Sequence, residues 1–182
     1  VDSPQEALFR LSHLLASVDL RQGLLIHARD RWMAIAAQAA GAEVDYWEML
    51  ALSSAATADT QLGDYRSAQT RLSRAAVLSA ERSDQLTSLL VNLQLGVVLN
   101  LSGDTEEGCA RCLAVATSAE DLGAVRLLGR AVTHAGEACR RMGLFKEADA
   151  HFERGERMGH AGLWCLKGLS QHPRFLAVAY PQ

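Results

Sequence analysis

Leu62-Gly63-Asp64-Tyr65, followed by Ala68, Leu72 and Ala75, is one copy of a pattern that returns every 40 residues. Glycine stands at Gly23, Gly63, Gly103 and Gly143. Further along each copy come Ala28, Ala68, Gly108 and Ala148, then Trp32, Leu72, Cys112 and Phe152, then Ile35, Ala75, Val115 and Gly155. A fixed internal period of this length reads as a stack of similar units, each burying its apolar face only against its neighbours.

The composition agrees with helices. Of 182 residues, 49% are hydrophobic but only 5% aromatic, so the apolar content is mostly Ala and Leu, strong helix formers that suit close helix contacts. Pro occurs only at Pro4, Pro173 and Pro181, which leaves the long stretch between free of the strongest helix breaker. The net charge of -3 offers no general attraction to nucleic acid or to an anionic membrane. No run approaches 18 uninterrupted apolar residues, so membrane insertion is not expected. The opening Val1-Asp2-Ser3-Pro4 is neither an initiator methionine nor a signal segment, and reads as the start of an excised domain or processed chain.

Helix boundaries follow from punctuation. Ser3, Pro4 and Glu6 occupy N-cap, N1 and N3, the capping-box arrangement. The first helix is expected to run to about Arg21, with Leu8, Leu11, Leu14, Leu15 and Val18 as its apolar stripe. Beyond the turn at Gly23 a second helix covers 25–40 and buries Ala28, Trp32 and Ile35. The same pairing gives helices over 44–61 and 65–80, 84–101 and 105–119, and 124–142 and 145–158. Asp104 is expected to cap one of these, with Glu107 at N3. The repeats are thus 5–41, 44–81, 84–121 and 124–159. In each, a small residue near the turn lets two backbones approach, and a larger one further on fills the gap between hairpins. Residues 160–182, with Trp164, Leu166, Leu169, Phe175 and Leu176, read as a divergent element capping the array.

These hairpins resemble tetratricopeptide repeats, in particular the lengthened 40-residue variety. The likeness rests on Leu62-Gly63-Asp64-Tyr65 with Ala68, Leu72 and Ala75, and on Met142-Gly143-Leu144-Phe145 with Ala148 and Phe152. It rests also on the pairs Leu15-Ala16, Ala55-Ala56, Leu95-Gly96 and Ala135-Gly136 in the first helices. It covers residues 5–158. Asp19 and Asp59 depart from it where a large residue is common, and Gly155 where a small Ala is usual.

The resemblance implies an all-α fold, a right-handed superhelical array of antiparallel helix hairpins whose first helices line a concave groove. Carried onto this chain, the groove residues are Arg10, His13, Ser17 and Arg21; Leu50, Ser53, Thr57 and Gln61; Leu90, Leu93, Val97 and Asn100; and Arg130, Thr133, Glu137, Arg140 and Arg141. An apolar middle between basic ends would suit a peptide or amphipathic helix with aliphatic anchors and acidic flanks. The other reading of the Leu90–Val97 patch is burial against neighbouring helices, and Arg140-Arg141 also fits an ordinary solvated helix end. Leu93 and Val97 stand where a chaperone-tail clamp would need polar groups, so that ligand is not expected.

Catalytic signatures are missing. There is no phosphate loop, HExxH or nucleophile elbow, and His13, His27, His134, His151, His160 and His172 are scattered. Cys109 and Cys112 form a CxxC inside a predicted helix without the further ligands that zinc requires. They read as buried small hydrophobes, and with Cys139 and Cys165 they place the chain in a reducing, cytoplasmic setting. No enzyme activity, cofactor or metal is expected. A protein-interaction scaffold is the leading reading. A regulatory region of a larger protein, such as a transcription activator, and a self-association module acting through residues 160–182 are the alternatives.

Overall fold

The turns at Gly63 and its counterparts set the architecture. In this computed structural model, which describes residues 4–82 and 84–158, Gly23, Gly63, Gly103 and Gly143 all have φ between 78° and 107°, a left-handed conformation that side chains resist. At three of these turns a six-to-one bond closes the helix end: Leu24, Asp64 and Leu144 N–H donate to the carbonyls of Asp19, Asp59 and Cys139 at 2.9 Å. The turns between hairpins close in the same way, Val44 onto Ala39 and Ala124 onto Ala119. Gly123 (φ 65°) serves one of them, and Glu43 (φ 55°) takes that strained place in the other.

Eight helices result among the described residues: α1 (Pro4–Arg21), α2 (Leu25–Gly41), α3 (Asp45–Leu62), α4 (Tyr65–Glu81), α5 (Gln85–Ser102), α6 (Thr105–Asp121), α7 (Val125–Arg141) and α8 (Phe145–Arg157). The ends agree with the expected ones to within two residues. The chain divides by contact into two compact units, one ending at Val98 and the other beginning at Leu99, so α5 contributes to both. In the first, α1 packs on α2, α2 on α3 and α3 on α4; in the second, α6 packs on α7 and α7 on α8.

The repeat positions behave alike. Ala28, Ala68 and Ala148 are fully buried, and Trp32, Leu72, Cys112 and Phe152 nearly or wholly so. Gly136 shows why the first helices need small residues there. A Cβ on it would lie 2.7 Å from the Phe152 ring.

Several expectations need correction. The apolar α1 stripe lies at the surface: Leu8, Leu11, Leu14, Leu15 and Val18 are 38–57% exposed, while Phe9 and Ala16 are buried. α1 meets α2 and α3 on its Phe9–Ala16 side, and the stripe lies on the other. Asp104 sits at an N-cap but its side chain caps nothing. Glu106 and Glu107 share its first turn, so repulsion disfavours closing it, and Glu107 instead pairs with Arg111 at 3.1 Å. The side-chain caps that form are Asp64, accepting from Ser67 N–H, and Asp84, accepting from Thr87 N–H, both at 3.1 Å. The Ser3 cap and the capping element at 160–182 lie outside the described residues.

Asp19 and Asp59 carry ion pairs at matching places in their hairpins. Asp59, with no exposed side-chain surface, is bound by Arg71 of α4; Asp19 meets Arg31 of α2 at 2.7 Å. Arg71 Nε also lies 3.0 Å from Met33 Sδ. The counterparts of these aspartates in the later repeats are Leu99 and Cys139.

By length and composition, α5 is the one helix among the described residues that could cross a membrane. Its apolar Val91, Leu93, Leu95, Val98 and Leu99 are buried, and Gln94 and Asn100 hydrogen-bond to neighbouring helices, which accounts for its composition as packing.

Two stability outcomes follow. Gly136→Ala should lower stability by about 1–3 kcal/mol through overpacking against Phe152, read as a shifted denaturant midpoint. Asp59→Ala should cost about 3–5 kcal/mol by stranding Arg71, with most of the loss recovered in Asp59→Leu combined with Arg71→Met. Asp19→Ala should cost less, because Arg31 is half exposed.

Candidate functional site

In the first unit the first-helix face is built from α1, α3 and the start of α5. Ser17 and Thr57 turn their hydroxyls onto the carbonyls of His13 (2.8 Å) and Ser53 (3.3 Å) one turn back. Ser53 donates to Gln94 Oε1 and ties α3 to α5. With these polar atoms engaged, Leu50 and Val97 are half-buried and Leu90 is exposed, while Arg10, Arg21 and Gln61 are exposed. Leu93 is not part of this surface. It is wholly buried, although its spacing puts it on the same side of α5 as Leu90 and Val97.

His13 is the anchor of an aromatic cluster. Trp32 Nε1 donates to its Nδ1 at 3.1 Å. Its ring lies 5.8 Å from that of Trp32 and 6.2 Å from that of Trp47, which in turn packs on Phe9 at 5.9 Å. The Trp32 bond requires an unprotonated Nδ1, and burial lowers the histidine pKa from its ordinary 6.5.

The second unit presents a different surface. Arg130 is exposed, and Thr133 is half-buried with its hydroxyl on the Gly129 carbonyl at 2.7 Å. Glu137 accepts from Arg140 at 2.8 and 2.6 Å and from Arg141 at 3.2 Å. Burial works to raise the Glu137 pKa, but these hydrogen bonds and charges bring it below its usual value. The expected basic end is therefore partly neutralised by its own helix. Asn100 is buried: its Nδ2 reaches the His134 carbonyl at 3.5 Å and its own carbonyl accepts from Arg141 at 3.2 Å. It braces α5 against α7 and is not a groove contact.

Sequence reasoning missed Gln94, the partner of Ser53. Cys109, Cys112 and Cys139 are buried and unbridged, and burial pushes the thiols of Cys112 and Cys139 up to about 12. Among the described residues no three His, Cys, Asp or Glu side chains are placed to hold a metal ion.

No family model matches the chain, and no curated protein does. Among solved structures, it is similar to a kinesin-light-chain protein from Podospora anserina with nearly identical TPR-like repeats. The TM-score is 0.68 at 16% identity, over 82% of this chain and 74% of that one. The fold is thus a TPR-like α-solenoid of paired antiparallel helices.

The His13 cluster makes stability pH-dependent. Because its folded pKa is lowered, its contribution is present above the unfolded value and is lost as pH falls below it. His151, also lowered chiefly by burial, acts in the same direction. The denaturant midpoint should fall between about pH 7.5 and about pH 5.5, and His13→Gln, which keeps an acceptor for Trp32, should flatten that slope.

Proposed function

We propose that this chain is a non-catalytic scaffold that recognises a peptide segment or amphipathic helix on its first-helix face. What supports this reading is the chemistry of that face in the first unit. Leu50, Leu90 and Val97 offer aliphatic contacts beside Ser17, Ser53 and Thr57, whose hydroxyls already have partners. Such a surface gains free energy by covering apolar area without stranding a polar group. His13, with Gln61 and the exposed Arg10 and Arg21, borders it, and the arginines favour acidic residues in the ligand's flanks. Arg130, Thr133, Glu137, Arg140 and Arg141 form a second, more polar contact region, where Glu137 tempers the positive charge.

The recurrence of helix starts at Leu25, Tyr65, Thr105 and Phe145 supports placing the chain in the lengthened 40-residue variety of this repeat. The buried unpaired thiols support a reducing, cytoplasmic setting.

A displayed peptide library selected on the wild-type chain supplies ligands for the test. Leu50→Glu and Leu90→Glu should weaken their binding about tenfold or more, with an unchanged circular dichroism spectrum. Equal binding by folded variants would remove the ligand from this face.

A further inference from the structure

The contact between α6 and α7 holds a pair of thiols. Cys109, on α6, and Cys139, on α7, are 30 residues apart in sequence, and their sulfurs lie 3.8 Å apart, in van der Waals contact. Small residues allow this approach. Ala135, one turn before Cys139, is fully buried, and its carbonyl lies 3.8 Å from Cys109 Sγ. Gly108, beside Cys109, is buried as well. A disulfide needs its sulfurs about 2.05 Å apart, so they have to close by about 1.8 Å. Rotation about the two Cα–Cβ bonds can supply that movement.

Cys112 is the poorer partner for Cys109. Residues three apart on one helix hold their β-carbons about 5–6 Å apart, whereas a disulfide takes about 3.5–4.5 Å, and both cysteines stand inside α6. The pairing that geometry favours therefore crosses between helices. Packing does not by itself require sulfur at this place. Eighty residues earlier, where α2 packs on α3, the corresponding residues are Arg29 and Asp59.

We infer that Cys109 and Cys139 form an oxidation-responsive staple between the third and fourth hairpins, free thiols in the resting chain and a disulfide after exposure to a peroxide. Cys109 is the less covered of the two, 7% exposed against 4%, and hydrogen peroxide is small enough to reach it. The Cys109 thiolate attacks one peroxide oxygen. The O–O bond breaks, leaving a sulfenic acid on Cys109 and a hydroxide ion that takes up a proton as water. The Cys139 thiolate then attacks the Cys109 sulfur; the S–S bond forms, the S–O bond breaks, and hydroxide leaves as a second water. Two thiols are oxidised, one peroxide is reduced, and the thiol protons end in the two waters.

Burial pushes the Cys139 thiol up to about 12, which makes the second step slow near neutral pH. The staple thus answers sustained oxidation. It ties α6 to the helix that carries Glu137, Arg140 and Arg141, and it stands whether or not that face binds a peptide.

Treatment of the folded full chain with excess hydrogen peroxide, followed by capping of the remaining thiols with N-ethylmaleimide, tests the inference. The monomer should lose two hydrogens in mass and two reactive thiols. Non-reducing peptide maps should join Cys109 to Cys139, and dithiothreitol should restore both. The denaturant midpoint should shift upward on oxidation and return on reduction, with an unchanged circular dichroism spectrum. Cys112→Ala should keep the bridge and the shift. Cys139→Ala should lose both and leave a sulfenic acid on Cys109 that dimedone traps; should that variant fail to fold, the wild-type peptide map decides alone. Thiols that stay free, a bridge through Cys112 or Cys165, or Cys109 oxidised without a bridge in the wild-type chain overturns the proposal. A Cys109–Cys139 bridge without the upward shift overturns its role as a staple.

Discussion

A methyl group or less at residues 16, 56 and 136, set within the same hairpin as the side chain at 32, 72 or 152, governs how closely two helices approach. The tightest instance is Gly136, where even one carbon would intrude on the Phe152 ring. Close approach buries the faces of both helices, and no single centre is needed because each hairpin depends on its neighbours. The glycine turns serve the same end. They reverse the chain in few residues and satisfy the last carbonyls of each helix internally.

Within that frame the chemistry varies from repeat to repeat. The position in the last turn of each first helix is Asp19, Asp59, Leu99 or Cys139; the carbonyls of Asp19, Asp59 and Cys139 close the turn, and the two aspartates also meet the paired helix. Aspartate is tolerated in the first two hairpins because each has an arginine in its second helix to meet it. Cys139 needs no such partner and lies 3.8 Å from Cys109 instead. Arg71 reaches Asp59 from the second helix of its own hairpin, whereas Cys109 reaches Cys139 from the helix before it. The ion pair costs more to break than it contributes when intact, since either member alone would be a buried charge.

Helix number, pairing and ends were legible from glycine spacing and the absence of proline, because those signals are local. The small and large positions were legible from their phase. What escaped depends on contacts between distant residues. Leu93 reads like Leu90 in sequence, and only the packing of α5 shows that one is buried and the other exposed. Ser53 and Gln94 are 41 residues apart, with no motif to join them. Asp104 has the same N-cap backbone as Asp64, yet only Asp64 has a serine amide as partner. The leucines of α1 read as an apolar stripe, and periodicity identifies such a face without saying what covers it.

That distinction matters for how such a chain works. A first helix has two sides with different tasks: one meets its own hairpin, and the other meets whatever comes before it in the stack. In α3 and α7 the second side is alanine, which permits close approach and leaves little apolar area per residue. In α1 it is leucine and valine, and the area is large. Leaving it in water would forgo several kcal/mol of burial free energy, at about 25 cal/mol per Å².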